Sequence, residues 1–157
     1  LLDFERSGGI GGSKSHSDLE FIKRLINKIS STHQNPIFTK TYFRKVSELE
    51  IKAQSIQYTS LRILSSLKEG DSPGPESSMM KTLVTDLEQE ISELTLDVIG
   101  YYGIPFQDTG YRSNKEAIGD EDYRSIAGKY QNLRATTIYG GSNEIQRNIM
   151  AKAVLGL

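Results

Sequence analysis

Ser77-Ser78-Met79-Met80-Lys81-Thr82-Leu83-Val84-Thr85-Asp86-Leu87-Glu88-Gln89-Glu90-Ile91-Ser92-Glu93-Leu94-Thr95-Leu96-Asp97-Val98-Ile99 is the stretch that decides the fold. Its apolar residues Met80, Leu83, Val84, Leu87, Ile91, Leu94 and Val98 return every three or four positions. At about 3.6 residues per turn that spacing keeps them on one side of a helix, with a single stripe to bury.

The same period runs outward in both directions. Residues 17–30 carry Ile22, Leu25, Ile26 and Ile29 on one face. Residues 37–68 repeat Val46, Leu49, Ala53, Ile56, Ile63 and Leu67, interrupted only by the small Ser60. Few segments alternate with period two, so no sheet is expected. Gly8-Gly9 and Gly11-Gly12 loosen the start, and Asn35-Pro36 opens the second helix. Gly70-Asp71-Ser72-Pro73-Gly74-Pro75 reads as a turn between two long antiparallel helices. Residues 100–120, with Gly103-Ile104-Pro105 and Asn114-Lys115-Glu116, read as a loop. A further helix falls over about residues 121–137, its end weakened by the β-branched Thr136-Thr137-Ile138. The expected fold class is all-α, an up-and-down helical bundle of four to five long helices.

Composition narrows the function classes. The 157 residues are 36% hydrophobic and 25% charged, ordinary for a globular domain with its own core. A formal net charge of −1 gives no electrostatic case for nucleic acid or an anionic membrane surface. No apolar run approaches the roughly 20 residues a membrane span needs. The absence of cysteine excludes disulfides and thiolate metal sites and fits a cytoplasmic protein. His16 and His33 lie in polar stretches without paired ligand spacing, so both read as surface residues and no metal site is expected. The chain opens Leu1-Leu2-Asp3-Phe4-Glu5-Arg6, without an initiator methionine or signal-like n-region, and reads as the middle of a larger protein.

The chemistry concentrates near the other end, in Ile138-Tyr139-Gly140-Gly141-Ser142-Asn143-Glu144-Ile145-Gln146-Arg147-Asn148-Ile149-Met150. Two glycines allow a tight turn and a close approach to a ligand. Ser142 is a natural N-cap, and Glu144 falls in the first turn, where negative charge suits the helix dipole. Ile145, Ile149 and Ala153 follow at a spacing of four and predict an apolar face. Backbone N–H groups freed at such a start can hold an anion or a polarised oxygen, or the residues can simply begin a helix.

The whole run resembles the C-terminal signature of the acyl-CoA dehydrogenase family, Tyr-(Glu or Gly)-Gly-(Thr or Ser)-x-(Gln or Glu)-Ile-Gln-Arg. Many members carry the catalytic glutamate directly after the tyrosine, where this chain has Gly140. Leu2-Asp3-Phe4-Glu5-Arg6 resembles an earlier segment where some subgroups place the base, and those subgroups commonly have glycine at the later position. The resemblance therefore implies Glu5 as catalytic base, although a Glu-Arg pair is ordinarily a solvated surface element. It also implies that Asp3 and Arg6 contact the CoA portion of the substrate, an ion pair being the alternative for Arg6. Tyr139 matches a residue walling the acyl pocket, or else packs in the core. The backbone of Gly140 comes near the thioester carbonyl. Ser142, Asn143, Glu144 and Ile145 match the flavin-contacting stretch, with plain capping as the alternative for Ser142.

Other parts of the pattern are altered. Leu96-Asp97-Val98-Ile99-Gly100-Tyr101-Tyr102-Gly103 resembles a family stretch that touches the flavin nucleotide of a neighbouring subunit. Asp97 replaces its glutamine and Tyr101 its second glycine, so a helix end at Gly100 or Gly103 is the competing account. An arginine motif common in the family is replaced by Asn35-Pro36-Ile37-Phe38-Thr39-Lys40. Pro73-Gly74-Pro75-Glu76-Ser77 resembles a divergent bacterial subgroup that also lacks it.

The resemblance as a whole implies the C-terminal helical domain of an FAD-dependent enzyme. Such an enzyme dehydrogenates an acyl-CoA substrate between its α and β carbons and passes electrons to an electron-transfer flavoprotein. It also implies a homo- or hetero-oligomer, a dimer or tetramer. An N-terminal helical domain and a β-domain would complete the flavin and substrate sites, so the 157-residue chain alone is expected neither to hold FAD tightly nor to turn over. Two other accounts remain: a non-catalytic partner subunit of a mixed assembly, and a helical bundle used only for protein interaction.

Overall fold

The computed structural model describes residues 12–66, 74–107 and 116–156. They form five α-helices: α1 (Gly12–His33), α2 (Pro36–Ser66), α3 (Glu76–Ile99), α4 (Ile126–Leu133) and α5 (Asn143–Leu155). Short 3-10 turns occupy Gly100–Gly103, Glu121–Tyr123 and Arg134–Thr137, and no strand occurs among the described residues. The first three helices hold 22, 31 and 24 residues and are the ones the apolar stripes anticipate. The helix expected over 121–137 is broken into two 3-10 turns around the eight residues of α4. The turn segment from Leu67 to Pro73 and the segment holding Asp3, Glu5 and Arg6 lie outside the described residues.

Cross-helix pairs fix the directions. Ser30 bonds Thr39 and Lys23 meets Glu50, so α1 and α2 run antiparallel. Lys45 meets Asp97 and Lys52 meets Glu90, so α2 and α3 do too. The solvent-accessible ion pairs among them record register more than they add stability. Stability comes from the stripes: Leu19, Ile22, Leu25 and Ile26 of α1 close on Val46, Leu49 and Ile56 of α2 and on Leu87, Ile91, Leu94 and Val98 of α3. Each such side chain contributes about 1.5–3 kcal/mol on burial.

Helix α3 is the hub and touches all four other helices. It does so because small hydroxyl residues, Ser78, Thr82, Thr85, Ser92 and Thr95, are buried beside its apolar stripe. Most satisfy themselves on the helix's own carbonyls, as Thr82 does on Ser78, Ser92 on Gln89 and Thr95 on Ile91. Neighbouring backbones can then approach closely, Ser78 Oγ alone among these five hydroxyls being left without a partner among the described residues.

The helix ends follow the sequence signals. Gln34 takes a left-handed conformation (φ 46°) after α1, and its N–H reaches Ser30 O. The Asn35 side chain then accepts from Phe38 N at 3.1 Å, capping the start of α2. Gly100 ends α3 with φ 56°, its N–H bonded to Leu96 O, so the helix-end account of this glycine is the one observed. His16 and His33 are exposed. No helix among the described residues is long and apolar enough to cross a membrane.

Candidate functional site

The site is built where α4 gives way to α5. The β-branched residues end the helix: Arg134–Thr137 tighten into a 3-10 turn, and the N–H groups of Ile138 and Tyr139 both bond Ala135 O. Gly140 (φ 68°) and Gly141 (φ 88°) then reverse the chain through backbone angles that only glycine adopts readily. The two glycines differ in surroundings. A Cβ on Gly140 would meet nothing within 4 Å, whereas one on Gly141 would lie 2.6 Å from Gln146 Nε2. Position 140 therefore has open space for a side chain, whereas at position 141 the Gln146 amide would have to give way.

Ser142 is the N-cap of α5, extended at φ −61° and ψ 155°, with its Oγ accepting from Ile145 N. Glu144 lies in the first turn. Its own backbone N–H and the Ser142 hydroxyl hold its carboxyl below the usual carboxylate range. The backbone N–H groups of Gly140, Gly141, Ser142 and Asn143 have no protein acceptor among the described residues. They form a row of donors at the positive end of a helix, an arrangement suited to an anion or a polarised carbonyl oxygen.

Both shoulders of this turn are tied to α3. On the α4 side, Gln89 donates to Leu133 O, Arg134 O and Thr137 Oγ1. Arg134 answers by donating to Ser92 Oγ, Glu93 and Gln89 O while stacking on Tyr130 at 4.3 Å. On the α5 side, Asn143 is 3% exposed. Its side-chain oxygen accepts from Lys81 Nζ (2.8 Å) and Thr85 Oγ1 (3.3 Å), and its amide nitrogen donates to Asp86 (3.0 Å). Burial pushes the Lys81 ammonium below the ordinary lysine range, with Asp86 and Glu144 pulling the other way. The start of α5 is thus clamped by polar groups.

That clamp sets which side of α5 faces the bundle. The helix buries Asn143 and Gln146 against the bundle, while Ile145 is 51% exposed, Ala153 is exposed and Ile149 is half-buried. Tyr139 is 56% exposed, which excludes core packing within this bundle. Among the residues expected to touch a flavin, Ser142 is occupied in capping and the Asn143 side chain in the clamp. Their outward contribution is backbone N–H, while Glu144 and Ile145 project to the surface. Asp97 is paired with Lys45 and Tyr101 is exposed. Sequence reasoning missed Lys81 and Gln146. Gln146 lay inside the quoted motif, and its amide is fully buried under the turn. Two hollows elsewhere, about 480 Å³ beside Lys45 and Glu93 and about 300 Å³ beside Phe21 and Thr95, include no residue of this turn.

Bundle and turn together define an all-α helical domain with a glycine turn and exposed apolar side chains at the start of its last helix. Comparison with known proteins gives the family. Residues 20–155 match the family described as acyl-CoA dehydrogenase, C-terminal domain, and the chain belongs to it. Acyl-CoA dehydrogenase IpdE1 of Mycobacterium tuberculosis is 38% identical over 106 residues, which are 64% of this chain and 24% of that protein. The protein of the same name from Mycolicibacterium smegmatis is 39% identical over 87 residues, 55% of this chain and 19% of that one. The chain therefore matches about a quarter or less of the length of these relatives. Among solved structures, a Tcur3481-Tcur3483 steroid ACAD G363A variant superposes with a TM-score of 0.70 at 16% identity, covering 99% of this chain and 38% of that one. A chain of the ChsE4-ChsE5 complex from Mycobacterium tuberculosis gives 0.64 at 21% identity, covering 89% and 35%. At these identities the superpositions speak for the fold.

Proposed function

We propose that the intact protein is an FAD-dependent acyl-CoA dehydrogenase that removes the α-proton and β-hydride of an acyl-CoA thioester, and that this chain supplies one wall of its site. The observation that carries the proposal is the row of unpaired N–H groups from Gly140 to Asn143, beside exposed Tyr139 and inside the family signature.

Proton loss beside a thioester places negative charge on the carbonyl oxygen, and fixed donors aimed there lower the barrier. The Gly140 N–H is placed on that oxygen, and Tyr139 walls the acyl chain. Glu5 takes the α-proton, since position 140 carries no carboxylate. Asp3 and Arg6 hold the CoA portion. A bound FAD would supply the acceptor for the β-hydride. The backbone at Ser142 and Asn143, with Glu144 and Ile145, fits one edge of such a group because its donors and side chains already face outward. An electron-transfer flavoprotein is the electron acceptor, and the protein works as a dimer or tetramer in the cytoplasm. An N-terminal helical domain and a β-domain complete the site, so the 157-residue chain alone holds no stoichiometric flavin.

The test is Glu5→Gln in the full-length protein. The variant should keep its flavin while losing exchange of the substrate α-proton with solvent. Turnover equal to wild type would remove Glu5 from the role of base. A second reading, a non-catalytic subunit of a mixed assembly, is favoured by the missing carboxylate at Gly140 and by the altered Asp97 and Tyr101. It predicts flavin binding only after co-purification with an active partner.

A further inference from the structure

Gln146 is fully buried, one turn into α5, and its amide nitrogen donates to Gly140 O at 3.2 Å and to Gly141 O at 3.3 Å. Its side-chain oxygen has no partner among the described residues. The opposite amide orientation would set that oxygen against two carbonyl oxygens, so the network itself fixes which way the group points. A buried acceptor left unpaired is costly, and an apolar side chain of the same size would avoid it. The group is therefore placed for what its nitrogen holds.

What it holds is two consecutive peptide planes. In a trans peptide the carbonyl and the following N–H point in opposite directions. Drawing Gly140 O and Gly141 O inward to one buried nitrogen turns the N–H groups of Gly141 and Ser142 away from the bundle. The same nitrogen occupies the space a Cβ at Gly141 would need, 2.6 Å away, so the glycine and the glutamine are fitted to each other.

We propose that Gln146 is a positioning residue for the thioester oxygen. By pinning the carbonyls of Gly140 and Gly141 it aims the N–H groups of Gly141 and Ser142 directly and fixes the backbone turn from which the Gly140 N–H is presented, without touching the substrate. The proposal rests on the acyl-CoA dehydrogenase function above.

The experiment uses the full-length flavoprotein and its Gln146→Leu variant. The readouts are the infrared carbonyl stretch of a bound, carbonyl-labelled 2-enoyl-CoA product and steady-state turnover of a saturated acyl-CoA. Wild type should lower the stretch relative to free thioester. Gln146→Leu should lose at least half of that shift and about 10- to 100-fold in kcat, with flavin content and KM little changed. A merely structural role would instead lower flavin content and thermal stability together and leave the carbonyl of whatever enzyme still binds ligand fully polarised.

Should the leucine variant fail to fold, Gln146→Glu serves. Its ionised carboxylate repels both carbonyls, while its neutral form donates to one, so its activity should rise relative to wild type as pH falls. A full stretch shift in Gln146→Leu, or a pH profile of Gln146→Glu that tracks wild type, overturns the positioning role alone. A wild-type protein that binds no acyl-CoA thioester overturns the proposed function, and this role with it.

Discussion

Lys81 of α3 donates to the side-chain oxygen of Asn143 at 2.8 Å, and this contact spans the joint between the central helix and the helix that carries the site. Asn143→Ala should cost about 2–3 kcal/mol, because it removes three bonds at a buried position and leaves Thr85 and the partly buried Lys81 without that partner. Lys81→Met should cost about 1 kcal/mol, since Thr85 still serves Asn143. A double-mutant cycle in denaturant unfolding should return a coupling of about 1 kcal/mol. Arg147→Ala, which removes only an exposed 3.9 Å approach to Asp86, should change stability little. Additive effects of Lys81 and Asn143 would remove the clamp.

The two glycines of the turn should respond differently to alanine. At Gly140 the cost is backbone strain alone, about 1 kcal/mol, because a methyl group there meets open space. At Gly141 the methyl also collides with Gln146 Nε2, raising the cost to about 2–4 kcal/mol. Thermal unfolding of the two variants distinguishes them, and equal losses would mean that the Gly141–Gln146 contact is not tight.

Acid should release one tie of the loop between α3 and α4. Lys28 bonds Asp120 and, with the Asp122 N–H, holds the Asp120 carboxyl below the ordinary carboxylate range. A depressed carboxylate stabilises the fold above its unfolded pKa of about 4, and that stabilisation is lost as pH falls through the lower folded value. Asp120→Asn, which can still cap, should therefore melt below wild type at neutral pH. The gap should close as pH drops well below about 4. A gap that persists or widens in acid would contradict the assignment.

Legibility in the sequence followed the kind of interaction involved. Apolar stripes such as Ile22 to Ile29 and Leu87 to Val98 announced α1 to α3, because burial of one face imposes the helical period. Local caps were equally readable: Asn35, Gly100 and Ser142 act within a few residues of themselves. In the segment after α3, the tie from Gln107 to both the N–H and the carbonyl of Ile118 was not readable, because the partner lies eleven residues away. Which face of α5 would be buried was not legible for a related reason. Ile145 and Ile149 have the right spacing for a core. The bundle offers the polar edge of α3 at that point, so Asn143 and Gln146 go inside. Lys81 carried no local mark at all, since its importance arises 62 residues away.

The most direct measurement of the central claim is rapid anaerobic mixing of the full-length flavoprotein with saturated acyl-CoA thioesters, followed in the visible flavin band. The account predicts prompt bleaching by at least one acyl-CoA, with the enoyl-CoA recovered in an amount equal to the flavin reduced. A protein that carries full flavin and is bleached by none of a series of short, long and ring-bearing acyl-CoAs would contradict it.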